Sequence, residues 1–372
     1  MNDAKAGERQ IIAKTRSIAI INLKIRALSF SGVTHHVSRQ SNALSYAQLM
    51  VMKQCPTYFL NNKAFYLLVD ALLFVVNWIS GNQVIEGVMT RLEDFLNHLS
   101  RALIAHASGL GIAPPRLSFN IGSDWWGVMP GYVGGGVTVK VVGVHPGNAG
   151  IGLPTVTATA AYFDEGGSLV ALIDGEALTG IRTAAATAIG ARVVNAPTSS
   201  LGIVGTGVEA RYHLLLLREA LRPRRVLVWG RRMDKARTLA EEFGGEAVEL
   251  SDLLSSDIIV LTTSSTSPIV EDVPRGRRHV ASIGAPRPVV ELGRKLIERV
   301  GCVLVDTRNA INEAGEDLRG VKLVELGEAL RGVKCEVSDA SIYKGVGFAV
   351  LDAAAADFIV ESALRHSVTS RH

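Results

Sequence analysis

The chain has 372 residues, of which 48% are hydrophobic and 20% are charged; this is enough for a large buried core and about two domains, and it argues against a disordered protein. The net charge of +4 is unevenly spread, because residues 1–64 hold nine Lys and Arg against only Asp3 and Glu8. The rest of the chain is slightly acidic, so the body of the protein lacks the positive charge that nucleic-acid binding requires.

The first 64 residues form a basic, serine-containing segment without sustained periodicity. Three interpretations stay open for it: a targeting segment, a flexible extension, or residues upstream of the true translation start. The apolar run at 64–79 is shorter than the roughly 20 residues that a membrane span needs, and Asp70 interrupts it. We predict a buried strand or helix there, at the start of the folded body, and expect no membrane partner; a membrane anchor is the less favoured alternative.

Residues 83–107 carry apolar side chains at helical spacing and end at Ala107-Ser108-Gly109, which predicts a helix. Short strand-like pieces separated by glycine turns follow between residues 126 and 173, a pattern typical of an antiparallel sheet. An Ala-rich helix is predicted for residues 177–194.

From Leu201 onward, short apolar strands alternate with helices. The predicted strands lie at residues 201–205, 226–229, 247–250, 258–261, 279–283 and 303–306. This alternation predicts an α/β fold with a Rossmann-type doubly wound sheet over residues 198–308. The tail, residues 321–363, does not resemble another βαβ unit, and we expect it to return to the first domain.

The stretch LGIVGTGVEAR, residues 201–211, has the order strand, glycine turn and helix that begins a dinucleotide-binding unit. Gly205 permits the tight turn, Gly207 lets the backbone approach a pyrophosphate, and Ala210 permits close packing of the helix on the strand. Thr206 lies between the glycines, and the helix that starts near Val208 points its N–H groups at the phosphates. An ordinary strand–helix turn is the alternative, which the position at the first strand of the α/β run disfavours.

The second strand of the α/β run ends at Trp229-Gly230-Arg231-Arg232. A site for NAD usually has Asp or Glu near this point to bind the ribose hydroxyls, whereas arginine suits the 2′-phosphate of NADP. We therefore expect NADPH as the cofactor, with NADH as the alternative. The other interpretation of Arg231 and Arg232 is a solvated loop.

Arg116, Lys140 and Arg182 are cations in apolar or glycine-rich surroundings outside the dinucleotide-binding region. A buried cation is costly unless it is paired or faces a ligand, and an anionic substrate group would satisfy this requirement. Each of the three, taken alone, is also compatible with a salt-bridged or snorkelling side chain.

The three cysteines, Cys55, Cys302 and Cys335, show neither metal-ligand nor CxxC spacing. They predict a reducing compartment, with a cytoplasmic protein that has no disulfide framework and no metal site.

Taken together, these segments resemble the ornithine cyclodeaminase/mu-crystallin family. The resemblance covers about residues 65–365 and rests on PPR (114–116), GVMPGY (127–132), VTVKVVGVHPGN (137–148), GLPTV (152–156), IRTAAATAIGA (181–191), GIVGTGVEAR (202–211), VASIGAPRPVVEL (280–292), LGEAL (326–330) and YKGVGFAVLD (343–352). It implies a substrate-binding and dimerisation domain built from residues 65–197 and 309–372, around a central NAD(P)-binding domain at 198–308, in a homodimer.

The same resemblance implies roles for individual residues. Arg116, Lys140 and Arg182 fall on the family's positions for gripping a substrate carboxylate, and Thr183 joins the expected cofactor-binding set. Deaminating members carry an Asp just after the Gly-Ala of the loop that follows the fifth strand. Here that loop, residues 284–288, reads GAPRP and contains no acid. The chain is therefore more similar to the mu-crystallin-like ketimine reductase branch.

This resemblance implies an oxidoreductase that uses NAD(P)H to reduce a small cyclic imino acid such as Δ1-pyrroline-2-carboxylate. Lys140 and Arg182 are the expected catalytic residues, with Lys140 donating a proton or orienting the iminium group. One alternative is ornithine cyclodeaminase or alanine dehydrogenase-type deamination with NAD, in which Asp174 or Glu291 replaces the missing Asp. The other is a non-catalytic protein that binds NADPH and a small carboxylate.

Overall fold

The computed structural model describes residues 76–336 and 339–369. The extension at residues 1–64 and most of the apolar run at 64–79 lie outside the described residues, so the predictions made for them stay predictions. Among the described residues, no helix is both long enough and apolar enough to cross a membrane.

The strands build two separate sheets in the described part of the chain. Their bounds are β1 Asn77–Ile79, β2 Leu117–Ile121, β3 Asp124–Gly131, β4 Val137–Val144, β5 Val156–Phe163, β6 Leu169–Asp174, β7 Ser200–Val204, β8 Arg225–Trp229, β9 Glu246–Ala247, β10 Ile258–Leu261, β11 Arg278–Ser282, β12 Cys302–Val305, β13 Lys322–Glu325 and β14 Ala340–Lys344.

The helices cover these sheets and connect their strands. Their bounds are α1 Gly81–Met89, α2 Leu92–Ala107, α3 Gly175–Val193, α4 Val208–Leu221, α5 Met233–Glu242, α6 Leu250–Leu253, α7 Arg294–Val300, α8 Ala310–Glu313, α9 Leu326–Leu330 and α10 Ala349–Thr369. A short 3₁₀ helix spans Pro146–Ile151. The single helix predicted for residues 83–107 is divided into α1 and α2, because the chain turns at Thr90 and Arg91.

The first sheet has six strands in the order β1-β6-β5-β4-β3-β2. Strands β2 to β6 pair antiparallel, as the glycine-turn pattern predicts, and β1 adds to β6 in parallel. Helices α3 and α10 pack on its inner face. Helix α3 is buried along nearly its whole length, which explains why its sequence is Ala-rich and lacks an amphipathic stripe.

The second sheet has eight parallel strands in the order β13-β12-β14-β11-β10-β7-β8-β9. The order reverses between β7 and β10, and crevices at such a switch point, outside the carboxyl ends of the strands, are where open α/β sheets bind ligands. The predicted α/β fold, with a doubly wound domain beside an α+β domain, is therefore confirmed.

The tail differs from the expectation that it all returns to the first domain. Strands β13 and β14 belong to the parallel sheet, and β14 lies between β11 and β12 with every residue buried. Helix α10 packs against the first sheet, and α9 packs against α2 and α3 of the first domain. Strand β14 could not be recognised as a buried strand from the sequence, because it contains the polar residues Ser341 and Lys344. Their polar groups form hydrogen bonds with partners that are distant in the chain.

The prediction that the cysteines form no disulfide framework is wrong. Cys302, the first residue of β12, and Cys335 form a disulfide. Their separation of 33 residues carries no recognisable spacing signal, and they meet because β12 and the segment after α9 fold against each other.

Candidate active site

The glycine loop connects β7 to α4 at the switch point of the parallel sheet. Gly205 has φ +126°, a conformation that side chains rarely adopt, and an added Cβ would collide with Thr262 after β10. Gly207 is the N-cap residue of α4, and a Cβ added there would meet no atom within 4 Å. The loop therefore leaves open space in front of the unpaired N–H groups of a long helix, an arrangement that fits a pyrophosphate.

The other residues of this loop differ in burial and in their neighbours. Ala210 is fully buried where α4 packs against the sheet, whereas Val208, at the start of α4, is 48% exposed. Thr206 lies beside the end of the next strand, because a Cβ added to Gly230 would be 2.7 Å from the Thr206 methyl group.

Arg231 and Arg232 are exposed and follow β8 directly. The carbonyl of Trp229, the last residue of β8, accepts a hydrogen bond from Gly205 N–H at 2.8 Å, so the two arginines start next to the glycine loop. Arg232 also forms a weak exposed pair with Asp234, at 3.4 Å. Both guanidinium groups are thus accessible to an anionic ligand.

Asp352 on α10 binds two of the three cations that the sequence analysis identified. Its Oδ1 accepts hydrogen bonds from Lys140 Nζ and Arg182 Nε, each at 2.9 Å, and all three side chains are buried. Its Oδ2 is buried without a hydrogen-bond partner among the described residues. Burial raises the pKa of Asp352, but the charges of Lys140 and Arg182 lower it more, so the pKa lies below its ordinary value.

Arg116 approaches the same region from the start of β2. It pairs with Glu313 of α8 and donates to the carbonyls of Val346 and Gly347 at 3.1 and 2.9 Å. Gly347 also lies against Arg182, since an added Cβ would be 2.8 Å from the Arg182 Nη2 atom. The structure therefore brings the three predicted cations together around Asp352 and the turn that contains Val346 and Gly347.

The turn at residues 345–347 follows β14 and faces the glycine loop side of the sheet. Asp306, directly after β12, accepts hydrogen bonds from the Val346 and Gly347 N–H groups, with Val346 at 3.0 Å and Gly347 at 2.6 Å. Carboxyl ends of parallel strands share one edge of a sheet, so the cations of the first domain meet the second domain at the edge where open α/β sheets generally bind ligands.

Burial changes the pKa of Lys140. Removal from water lowers its pKa to about 8, although Asp352 opposes the change. Its ammonium group also donates to Thr179 Oγ1 at 3.2 Å. Lys140 is therefore mainly protonated near neutral pH but close enough to its pKa to exchange a proton.

Thr183 follows Arg182 on α3 and is almost fully buried. Its hydroxyl donates to the carbonyl of Thr179 one turn earlier, at 2.7 Å, so only its acceptor capacity remains for a ligand.

The loop after β11 is held by a buried polar cluster. Glu291 accepts hydrogen bonds from Gly284 N–H and Ser282 Oγ, both at 2.8 Å, and also from the N–H and hydroxyl groups of Thr263. Lys344 donates to Ser282 Oγ and to the Gly284 carbonyl, and pairs with Glu316 at 3.0 Å. These contacts fix the GAPRP segment beside the turn at residues 345–347.

Sequence reasoning missed Asp352, Glu313 and Asp306. Asp352 carried a usable signal, because it is the one carboxylate in the apolar stretch at residues 348–356 and such a group requires a buried partner. Glu313 and Asp306 stand in ordinary polar surroundings, and only the folded chain reveals their contacts.

Comparison with known proteins identifies the family of the chain. A model of the ornithine cyclodeaminase/mu-crystallin family matches residues 79–367. The chain belongs to this family. It is 34% identical over 253 residues to ketimine reductase mu-crystallin of Mus musculus, covering 63% of this chain and 80% of that protein.

Two further family members support the assignment. Delta(1)-pyrroline-2-carboxylate reductase of Bacillus cereus is 30% identical over 259 residues, covering 63% of this chain and 79% of the relative. The structure of Thermococcus litoralis Delta(1)-pyrroline-2-carboxylate reductase with NADH and L-proline superposes with a TM-score of 0.72 and 26% identity, covering 78% of this chain and 98% of that one.

Proposed function

We propose that the protein reduces the C=N bond of a small cyclic imino acid, such as Δ1-pyrroline-2-carboxylate, to the cyclic amino acid. It is an NAD(P)-dependent oxidoreductase. The observation that carries the proposal is the convergence of Arg116, Lys140 and Arg182 at the carboxyl edge of the dinucleotide-binding sheet. Relatives named as reductases of ketimines and of Δ1-pyrroline-2-carboxylate support the same chemistry.

The substrate carboxylate binds to the three cations in this proposal. Arg182 uses only Nε for Asp352, and in residues 76–336 and 339–369 neither of its terminal nitrogens has a protein acceptor. Arg116 contacts the same turn and Lys140 contacts the same aspartate as Arg182, so both add further donors close to it. Charge-assisted hydrogen bonds from guanidinium to carboxylate are among the stronger ones in proteins and orient the ligand as well as holding it.

Lys140 then protonates the imine nitrogen or keeps it protonated. Its lowered pKa, about 8, suits proton donation near neutral pH. Asp352 keeps the ammonium group in place and limits the fall in pKa that burial causes. Bound NAD(P)H supplies the hydride for the imine carbon, and a protonated imine accepts hydride without a strong general base.

The cofactor is held by Gly205, Thr206, Gly207 and the start of α4 in this proposal, with Thr183 nearby. Arg231 and Arg232 select NADPH over NADH, because they bind the 2′-phosphate. Their exposure and their position beside the glycine loop support this assignment.

Deaminase chemistry would require an acid in place of the missing aspartate, and neither expected substitute is placed for it. The Glu291 carboxylate is fully buried and accepts several hydrogen bonds within its own loop cluster. Asp174 caps α3, accepting from Glu176 and Ala177 N–H. Both are committed to structural contacts, which favours imine reduction.

A homodimer forms through the outer face of the six-stranded sheet in this proposal. That face exposes apolar side chains that a lone subunit leaves in water: Trp78, Leu117, Phe119, Ile121, Val137 and Val141. Val141→Lys should shift the protein from dimer to monomer in light scattering; an unchanged mass would contradict this interface.

A direct assay tests the proposed reaction. The purified protein should oxidise NADPH in the presence of Δ1-pyrroline-2-carboxylate, and Arg116→Met should raise KM far more than it lowers kcat. Ammonia release from L-ornithine without NADPH oxidation would overturn the proposal in favour of a cyclodeaminase. Tight NADPH binding without turnover of any imine would instead indicate a non-catalytic binding protein.

A further inference from the structure

Beyond Lys140, the inner face of the antiparallel sheet forms an apolar wall. Lys140 pairs with Met129 across β3 and β4. Gly127 and Trp125 precede Met129 by two and four residues on β3, so their side-chain positions lie on the same face as Lys140. The register continues to β5 and gives the wall these members: Trp125, Gly127, Val142, Val144, Val156 and Ala158.

No charged side chain lies on this wall within strands β2 to β5. The edge strand β2 contributes only the uncharged Ser118 and Asn120 to the same face. Asp124, the one carboxylate at this end of β3, points to the opposite face and pairs with His145 at 2.8 Å. A ligand whose carboxylate is held at Lys140 and whose remaining atoms follow this face would therefore meet no charged side chain of strands β2 to β5.

Trp125 shapes the part of this wall nearest to Lys140. A Cβ added to Gly127 would be 2.6 Å from the Trp125 Cη2 atom and 3.1 Å from Cζ3, so the indole ring leans over Gly127 and occupies the place of a side chain there. At the other end of β3, Gly131 lies directly against Ala349 of α10. The inner face of β3 is thus bounded by the backbone of α10 on one side and by the indole on the other, with the buried Met129 between them.

We propose that Trp125, leaning over Gly127, is a specificity-determining residue that selects imino acids whose ring carries no second carboxylate. The proposal rests on the proposed reduction of cyclic imino acids at this site. An aromatic ring offers dispersion contact to a flat apolar ring, and its electron-rich face offers no partner for a second carboxylate. Burial of an unpaired carboxylate against such a wall is strongly unfavourable, so dicarboxylate analogues are rejected.

Two planar ligands that do not react test this wall in the full-length protein with NADPH bound. Pyrrole-2-carboxylate has an uncharged ring, and pyrrole-2,5-dicarboxylate adds one charge to the same ring. The wild type should bind the first at least about tenfold more tightly than the second. Trp125→Ala should weaken binding of the first about tenfold through loss of aromatic contact, and Trp125→Arg should narrow or reverse the preference.

Trp126→Phe is the matched control, because Trp126 is the adjacent residue on the opposite face, where it packs edge-on against His145. It should leave affinity and preference unchanged. Trp125→Phe keeps an aromatic wall and should retain binding, while it removes most of the quenching of tryptophan fluorescence that pyrrole-2-carboxylate causes. This measurement serves where Trp125→Ala does not fold.

The results separate the two proposals. The role of Trp125 would be overturned if folded Trp125→Ala and Trp125→Arg kept the affinity and the ligand preference of the wild type. Full quenching of tryptophan fluorescence in Trp125→Phe would also overturn it, whether or not the protein turns over imines. Absence of imine turnover in the wild type, with ligand binding still sensitive to Trp125, would overturn the proposed reaction alone.

Discussion

Replacement of Asp352 by Asn should impair both stability and catalysis, because it removes the charge that Lys140 and Arg182 share. The amide oxygen can still accept a hydrogen bond, so we expect a loss of about 3 kcal/mol in unfolding free energy, at the low end of the cost of breaking a buried ion pair. A charge pair at about 4 Å contributes about 4 kcal/mol at an effective dielectric constant near 20. The pKa of Lys140, about 8 with Asp352 present, should therefore fall below neutral.

This change predicts a loss of about 100-fold in kcat/KM near neutral pH, since only about one Lys140 in 100 then keeps its proton. The assay is NADPH oxidation with Δ1-pyrroline-2-carboxylate from pH 5.5 to pH 8.5, a range of about three pH units. Activity relative to the wild type should recover as the pH falls, which a merely structural defect would not produce.

Asp357→Asn is the matched control on the same helix. Asp357 accepts a hydrogen bond from Gly136 N–H at 2.9 Å and also contacts the Tyr162 hydroxyl, away from the cations. This variant should lose stability but keep its pH profile. If folded Asp352→Asn retains kcat/KM within about threefold of the wild type at neutral pH, the reasoning about the shared carboxylate is refuted.

Three further predictions concern protonation and cofactor choice. Binding of pyrrole-2-carboxylate, followed by calorimetry, should weaken above a pH of about 8 as Lys140 loses its proton; constant affinity up to a pH of about 10 would contradict this. Replacing Arg231 and Arg232 by Ser should raise KM for NADPH about tenfold more than KM for NADH; equal increases would argue against recognition of the 2′-phosphate. Burial lowers the pKa values of His213 and His279 to about 4. The folded protein thus binds fewer protons than the unfolded chain between pH values of about 6.5 and 4, and stability should fall as the pH drops through this window. Urea unfolding at several pH values measures the effect, and His279→Gln should reduce the slope; a stability that rises on acidification would count against these two buried neutral histidines.

The glycine loop could be predicted from sequence because its requirements are local. Gly205 needs a conformation reserved for glycine, Gly207 must leave the helix start open, and both demands are met within a few residues. The three cations were also recognisable, since charges in apolar segments call for partners or ligands.

The partners of those cations could not be placed from the sequence. Asp352 lies 212 residues from Lys140 and 170 from Arg182 along the chain, and only the packing of α10 brings them together. Strand β14 was missed for the same reason, because Lys344 is tolerated in a buried strand only where Ser282, Gly284 and Glu316 surround its ammonium group.

Transfer of hydride to the imine carbon is the central claim, and isotope transfer tests it most directly. The protein is mixed with Δ1-pyrroline-2-carboxylate and NADPH deuterated on the transferring face of the nicotinamide, and the amino acid product is analysed by mass spectrometry. We expect proline that carries deuterium at Cα, in an amount equal to the NADPH oxidised. Proline without deuterium, or no proline at all from a folded protein that binds NADPH, would contradict it.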